Sequence, residues 1–155
     1  LEKITIKEIA TSTIQTLIHV ANDKNITIKL KSIGKTPDFK ASKDLVKQVF
    51  INLLNNALKF TPEDGKISVT IKHQKTTNMI DIAIKDSGDG IEKELIPRLF
   101  DKFYQVDSSM TRAYGGTGLG LVIVKHIIDA HKGKIKVKSK IGEGSEFVFS
   151  LPFRK

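Results

Sequence analysis

The strongest constraint on the fold is a set of segments in which apolar and polar residues alternate. Ile67, Val69 and Ile71 form one such run. Ile80, Ile82 and Ile84 form another, after a turn near Thr76 to Asn78. Ile26, Ile28 and Leu30 make a shorter run, Ile135 and Val137 alternate with lysines, and Phe147, Phe149 and Leu151 close the series. Successive side chains of a strand point to opposite faces, so each segment has one buried face and one wet face. A sheet built from them needs helices on its buried face alone. The expected class is therefore α+β: a two-layer α/β sandwich, with a mixed, mostly antiparallel sheet of about five strands and three main helices on one face. A doubly wound sheet with helices on both sides does not fit this pattern.

Three helical segments supply the second layer. Residues from about Thr5 to Asn22 carry Ile6, Ile9, Ile14, Leu17 and Ile18 near helical spacing. Ser42 reads as an N-cap for an amphipathic helix that runs to about Phe60 and is stopped by Thr61-Pro62. Val46, Val49, Phe50, Leu53, Leu54 and Ala57 form its broad apolar face. A third helix is expected from Thr117 to about Ala130, with Leu119, Ile123, Ile127 and Ala130 inward and Lys125, Asp129 and Lys132 in water. The 155 residues fit a single domain, residues 1–155, that can bury a core of its own.

Composition excludes several classes. There is no cysteine, hence no disulfide framework and no cysteine metal site. No apolar run approaches the ~20 residues needed to span a bilayer, so no membrane segment is expected in this stretch. The opening Leu1-Glu2-Lys3 has no signal-peptide pattern and no Met. The chain therefore reads as a cytoplasmic fragment of a longer parent, which can itself be membrane-anchored. The net charge of +9 can attract nucleic acid, acidic lipid or an acidic partner. Lys134, Lys136, Lys138 and Lys140, however, read as the wet face of a strand, and a bound nucleotide polyanion accounts for part of the charge. No nucleic-acid partner is expected.

Two glycine clusters carry the chemistry. Asp86-Ser87-Gly88-Asp89-Gly90-Ile91 closes a strand-like run, and Gly115-Gly116-Thr117-Gly118-Leu119-Gly120-Leu121 opens a helix-like one. Asp86 shares the parity of Ile80, Ile82 and Ile84, so its side chain points to the buried side. It either caps the following turn or accepts a hydrogen bond from an adenine amine. Gly88 and Gly90 allow a tight turn and close approach to a ligand, and Ile91 adds apolar wall. In the second cluster, glycines at a helix start leave backbone N–H groups open to phosphate. It is neither a P-loop, since no Gly-Lys-Ser/Thr follows, nor a dinucleotide fingerprint, since residues 107–114 are not strand-like. Asn52, Asn56 and Lys59 sit at i, i+4 and i+7 on one helical stripe. The stripe is either a polar solvent face or an oxygen ligand for a hard cation at Asn56, with Lys59 on phosphate. Residues 105–116 suit a lid, from which Arg112 can reach a terminal phosphate.

In order and spacing these motifs resemble the catalytic and ATP-binding domain of sensor histidine kinases, in the superfamily that includes gyrase, heat-shock chaperone ATPases and mismatch-repair proteins. The N box matches Gln48 to Thr61, the G1 box Asp86 to Ile91, the F box Phe100 to Phe103, and the G2 box Gly116 to Leu121. Gly142-Glu143-Gly144-Ser145 matches the closing glycine turn, which places Ser145 at the nucleotide. The resemblance implies that Asn56 holds Mg2+, and that Asp86 binds the adenine amine beside Phe60, Gly88, Gly90 and Ile91. It implies that Lys59 and the backbone of Gly116, Thr117, Gly118, Leu119 and Gly120 bind the phosphates of ATP. Asn52 stands where ATP-hydrolysing relatives place a Glu base, so the resemblance implies phosphoryl transfer to a histidine, with Asn52, Lys59 and Arg112 as the catalytic set. The implied partners are a dimerisation domain bearing the phosphoacceptor histidine and a response regulator. Gln105 replaces an Arg frequent in the family. His19, His73, His126 and His131 lack the acceptor context of a following acidic residue and Pro. A superfamily ATPase or a serine kinase uses the same nucleotide motifs, and a basic module that binds nucleic acid or protein is the reading from another class.

Overall fold

The computed structural model describes residues 1–101 and 120–155. In chain order its elements are β1 (Glu2–Ile4), α1 (Ile6–Asp23), β2 (Thr27–Ile33), β3 (Phe39–Ala41), α2 (Lys43–Phe60), β4 (Lys66–Gln74) and β5 (Met79–Asp86). A 3-10 turn follows (Lys93–Arg98), then α3 (Gly120–Ala130), β6 (Lys134–Lys140) and β7 (Gly144–Pro152). The alternating segments form one five-stranded sheet in the order β2-β4-β5-β7-β6. β2 and β4 pair in parallel, because α2 carries the chain back between them, and every other pairing is antiparallel. The sheet is mixed and mostly antiparallel, as the alternation predicts.

The buried face carries Ile67, Val69, Ile71, Ile80, Ile82, Ile84, Phe147, Phe149 and Leu151. Against it lies α2, which buries Val46, Val49, Phe50, Leu53, Leu54, Ala57 and Leu58. The Phe50 ring meets Phe149 edge-on, with centroids 5.5 Å apart. α2 sits between α1 and α3 and over β5, so its polar stripe is held near the end of that strand. Among the described residues no helix is long and apolar enough to cross a membrane.

Three local expectations change. On α1 the buried stripe runs through Ile6, Ile9, Ala10, Thr13, Leu17 and Ala21, whereas Ile18 is 37% exposed. Thr13 can be buried because its hydroxyl donates to the Ile9 carbonyl at 2.8 Å. On α3 the core residues are Val124, Ile127 and Ile128, and Ala130 faces water. Ser42 is the N-cap of α2, yet its side chain makes no capping bond; its N–H donates to His131 Nε2 at 3.1 Å. His131 is buried, with Nδ1 2.9 Å from the Ile127 carbonyl, so it joins the end of α3 to the start of α2. A small antiparallel sheet, β1 with β3, was also not expected. It is tied to the C-terminal segment by the Lys40 N–H, which donates to the Arg154 carbonyl at 2.7 Å, and by Phe39 against Phe153.

Candidate functional site

Strand register builds the site. Asp86 lies opposite Ile67 on β4 and Ser145 on β7, and Ser145 lies opposite Ser139 on β6. The apolar face of the sheet thus ends in a polar row of Asp86, Ser145 and Ser139, turned toward the helix layer. Asp86 is 7% exposed. Its Oδ1 accepts the Gly88 N–H at 2.9 Å and the Ser145 N–H at 3.2 Å. Oδ2 accepts no hydrogen bond from the described residues. The turn-capping reading of Asp86 is thus met by one oxygen alone, and that cap does not use the other.

Burial pushes the Asp86 carboxyl above the usual carboxylate range, while the Gly88 and Ser145 N–H groups pull it down. A raised folded value means that the folded chain holds this proton more tightly than the unfolded chain. Asp86 thus favours folding when protonated, and that contribution is lost as pH climbs from the ordinary carboxylate value through the raised one. Asp86→Asn is accordingly expected to melt above the parent at pH 7, with the gap closing as pH drops below the carboxylate range. Thermal melts across that window check it; a variant melting below the parent at pH 7 and converging from beneath would contradict the sign.

The loop after Asp86 is pinned on both sides. Gly88 is buried against the end of α2, where a Cβ would lie 2.5 Å from the Phe60 carbonyl oxygen. Gly90 has φ +82°, and a Cβ there would meet the Lys140 carbonyl. The Asp89 carbonyl accepts the Gly142 N–H at 2.8 Å, and the Ile91 N–H donates to Ser139 Oγ at 2.7 Å. On the other flank the Lys66 N–H donates to Ser87 Oγ at 2.8 Å.

On α2, Asn52, Asn56, Lys59 and Phe60 are half-buried. Asn52 Nδ2 donates to the Gly120 carbonyl at 3.3 Å, which ties the stripe to the first residue of α3. Asn56 and Lys59 make no side-chain hydrogen bond with the described residues. The fold thus brings Asp86, Gly88, Gly90, Ile91 and Ser145 together, with Phe60 behind Gly88, and sets Asn52 beside Gly120. Phe100 packs half-buried against the core. Arg112, Gly115, Gly116, Thr117, Gly118 and Leu119 lie outside the described residues, as do Phe103, Gln105 and the lid expected at 105–116. Ser139 was missed by sequence reasoning. One signal was available: it has the inward parity of Ile135 and Val137 in a strand whose other positions are lysines.

The residues suit a nucleotide with a metal. Asp86 Oδ2, which accepts nothing from the described residues, is an acceptor on a 7% exposed side chain. The Asn56 amide oxygen is a hard donor. Among the described residues no group of three or more His, Cys, Asp or Glu could hold an ion. A cation at Asn56 would therefore take most of its ligands from phosphate and water, as magnesium does.

A family model described as "Histidine kinase-, DNA gyrase B-, and HSP90-like ATPase" matches residues 41–155. The chain belongs to that family. The match takes in every element of the ATPase-family site, from α2 to β7. A methyl sulfide methyltransferase-associated sensor of Methanosarcina acetivorans is 36% identical over 97% of this chain and 15% of its own length. The sensor histidine kinase WalK of Bacillus subtilis is 41% identical over 72% of this chain and 18% of its own length. The ATPase-family domain thus spans less than a fifth of these two relatives. Among solved structures, the catalytic domain of histidine kinase ThkA superposes with a TM-score of 0.86 at 27% identity, over 99% of this chain and 95% of that one. Full-length ShkA in complex with AMPPNP superposes with a TM-score of 0.88 at 27% identity, over 100% of this chain and 31% of that one. A complex of ThkA with the response regulator TrrA superposes with a TM-score of 0.81 at 26% identity, over 98% of this chain and 41% of that one. The fold is that of histidine kinase catalytic domains.

Proposed function

We propose that this domain binds ATP with magnesium and donates the γ-phosphoryl group to a histidine on a separate dimerisation domain of its parent sensor kinase. It would work in the cytoplasm, where ATP is supplied, with a response regulator receiving the phosphoryl group afterwards. The observation that carries this reading is Asp86: a carboxylate at the end of a core strand, 7% exposed, with one oxygen fixed by two N–H donors and the other accepting none from the described residues. A fixed acceptor in a nearly dry pocket suits the exocyclic amine of adenine. The neighbours support the same reading, since ShkA was solved with a nucleotide analogue and ThkA with a response regulator.

Each residue then has a task. Asp86 orients the base, with Gly88, Gly90, Ile91, Phe60 and Ser145 around it. Asn56 would hold magnesium, which neutralises phosphate charge during transfer. Lys59, Arg112 and the backbone of Gly116, Thr117, Gly118, Leu119 and Gly120 would bind the phosphates. Asn52 has no basic nitrogen and cannot take a proton from water. Its amide instead donates to Gly120, the residue at the start of the phosphate-facing helix. The γ-phosphorus is then attacked by an acceptor imidazole nitrogen, ADP leaves, and catalysis consists of positioning and charge neutralisation.

The isolated domain is accordingly expected to bind ATP–magnesium while releasing phosphate far more slowly than a typical enzyme turnover of about 10 per second. Labelled phosphate should move to a supplied histidine-bearing dimerisation domain of the parent. Rapid steady-state phosphate release without an acceptor would favour a superfamily ATPase. Transfer to serine would favour the serine-kinase reading.

A further inference from the structure

We propose that Ser139 is a positioning residue for base binding: its hydroxyl holds the Ile91 backbone against the β6–β7 turn and so fixes the wall that faces the base. The proposal rests on the adenine assignment of this pocket and adds a residue to it. Ser139 Oγ lies 2.7 Å from the Ile91 nitrogen, 2.8 Å from Ser145 Oγ and 3.0 Å from the Gly144 carbonyl oxygen. A hydroxyl has one proton and two lone pairs. The Ile91 N–H takes one lone pair. The Ser139 proton goes to Gly144 or to Ser145, and the second lone pair can accept from Ser145 when Gly144 receives that proton. The Ile91 bond survives in either arrangement.

Packing alone gives no reason for a serine here. The inward positions before it on β6 are Ile135 and Val137, both packed against the core, and an apolar residue would continue that series. It would also leave the Ile91 N–H without its acceptor. Two ties bracket Gly90: Asp89 to Gly142 on one side and Ile91 to Ser139 on the other. Gly90 has φ +82° and no room for a Cβ, so the turn between the two ties requires glycine. The Ser139 hydroxyl also meets Ser145 Oγ, on the residue whose N–H fixes Asp86 Oδ1. Ser139 therefore joins Ile91 directly, and Asp86 through Ser145, into one set of hydrogen bonds. It does so without being the group that meets the base.

The test is calorimetric titration of the domain with ADP and magnesium for the parent, Ser139→Ala, Ser139→Thr and Asp86→Asn. Amide exchange at Ile91 is followed in the same proteins. Ser139→Ala should lose about tenfold in ADP affinity, on the scale of one hydrogen bond. Its Ile91 amide should also exchange faster. Ser139→Thr keeps the hydroxyl and should restore both to within about twofold, which a merely structural defect in the strand would not do. ADP affinity of Ser139→Ala within twofold of the parent, alongside a large loss in Asp86→Asn, overturns the proposal and leaves the adenine assignment standing. So does a Thr variant as weak as Ala. No loss in Asp86→Asn overturns both. Should Ser139→Ala fail to fold, an unprotected Ile91 amide in the parent is enough to reject the proposal.

Discussion

Asp86→Asn is expected to lose most of the affinity of this domain for adenine nucleotides, roughly 30-fold or more, on the scale of a hydrogen bond to a charged group. The geometry says why so small a change should matter. Oδ1 receives two backbone donors, from Gly88 and Ser145. In the variant those donors select the amide oxygen for the same place, because the amide nitrogen cannot accept. The NH2 group is then forced into the position of Oδ2, where it faces the amine of the base as donor against donor. The loop itself keeps its ties. Titration with ADP and magnesium reads the loss, and unchanged affinity would remove the adenine assignment. This variant is also the one expected to melt above the parent at neutral pH, so a binding defect there cannot be blamed on unfolding.

Gly144→Ala should destabilise the domain by about 3 kcal/mol or more, through backbone strain plus overpacking. For a chain of this size that lowers the melting temperature by on the order of 10 °C. Gly144 has φ +99°, and its Cβ would meet the Asp86 carbonyl while standing 3.1 Å from the Ser87 Cα. Both neighbours are backbone, so neither can turn aside. Gly142 provides the control. It has φ +83° with nothing within 4 Å of a Cβ, so Gly142→Ala carries strain without a clash and should cost about 1 kcal/mol. Calorimetric melting of the pair decides the matter. Equal melting temperatures would mean that β7 does not pass Asp86 as closely as described.

Much of this was legible because burial has a period. Ile67, Val69 and Ile71 announce a half-buried strand, and the same parity carried forward from Ile80 points Asp86 inward. The broad face of α2 was legible for the same reason. What was hidden depends on pairing between distant segments. The direction of β2 against β4 leaves no mark on either strand. β1 and β3 are three residues each, too short for a pattern to emerge. Ile18 reads as core but is exposed, because a threonine with an internally satisfied hydroxyl takes the inward place on α1. Ser139 has inward parity among the lysines of β6, but its partner Ser145 emerges only when register sets the two strands side by side. From Arg112 to Leu119 the legible signal is the order of glycines before a helix-like run, not a period of burial.

The polar row at the end of the sheet has a consequence for folding kinetics. The bond between Ser145 and Asp86 joins residues 59 positions apart, so this end of the pocket exists only after β7 has reached β5. Such long-range closures come late and slowly. A nucleotide held at Asp86, as proposed, would find nothing to grip in refolding chains before that point. Its binding energy falls on the native side of the barrier: it lengthens the lifetime of the folded domain and leaves the speed of arrival unchanged.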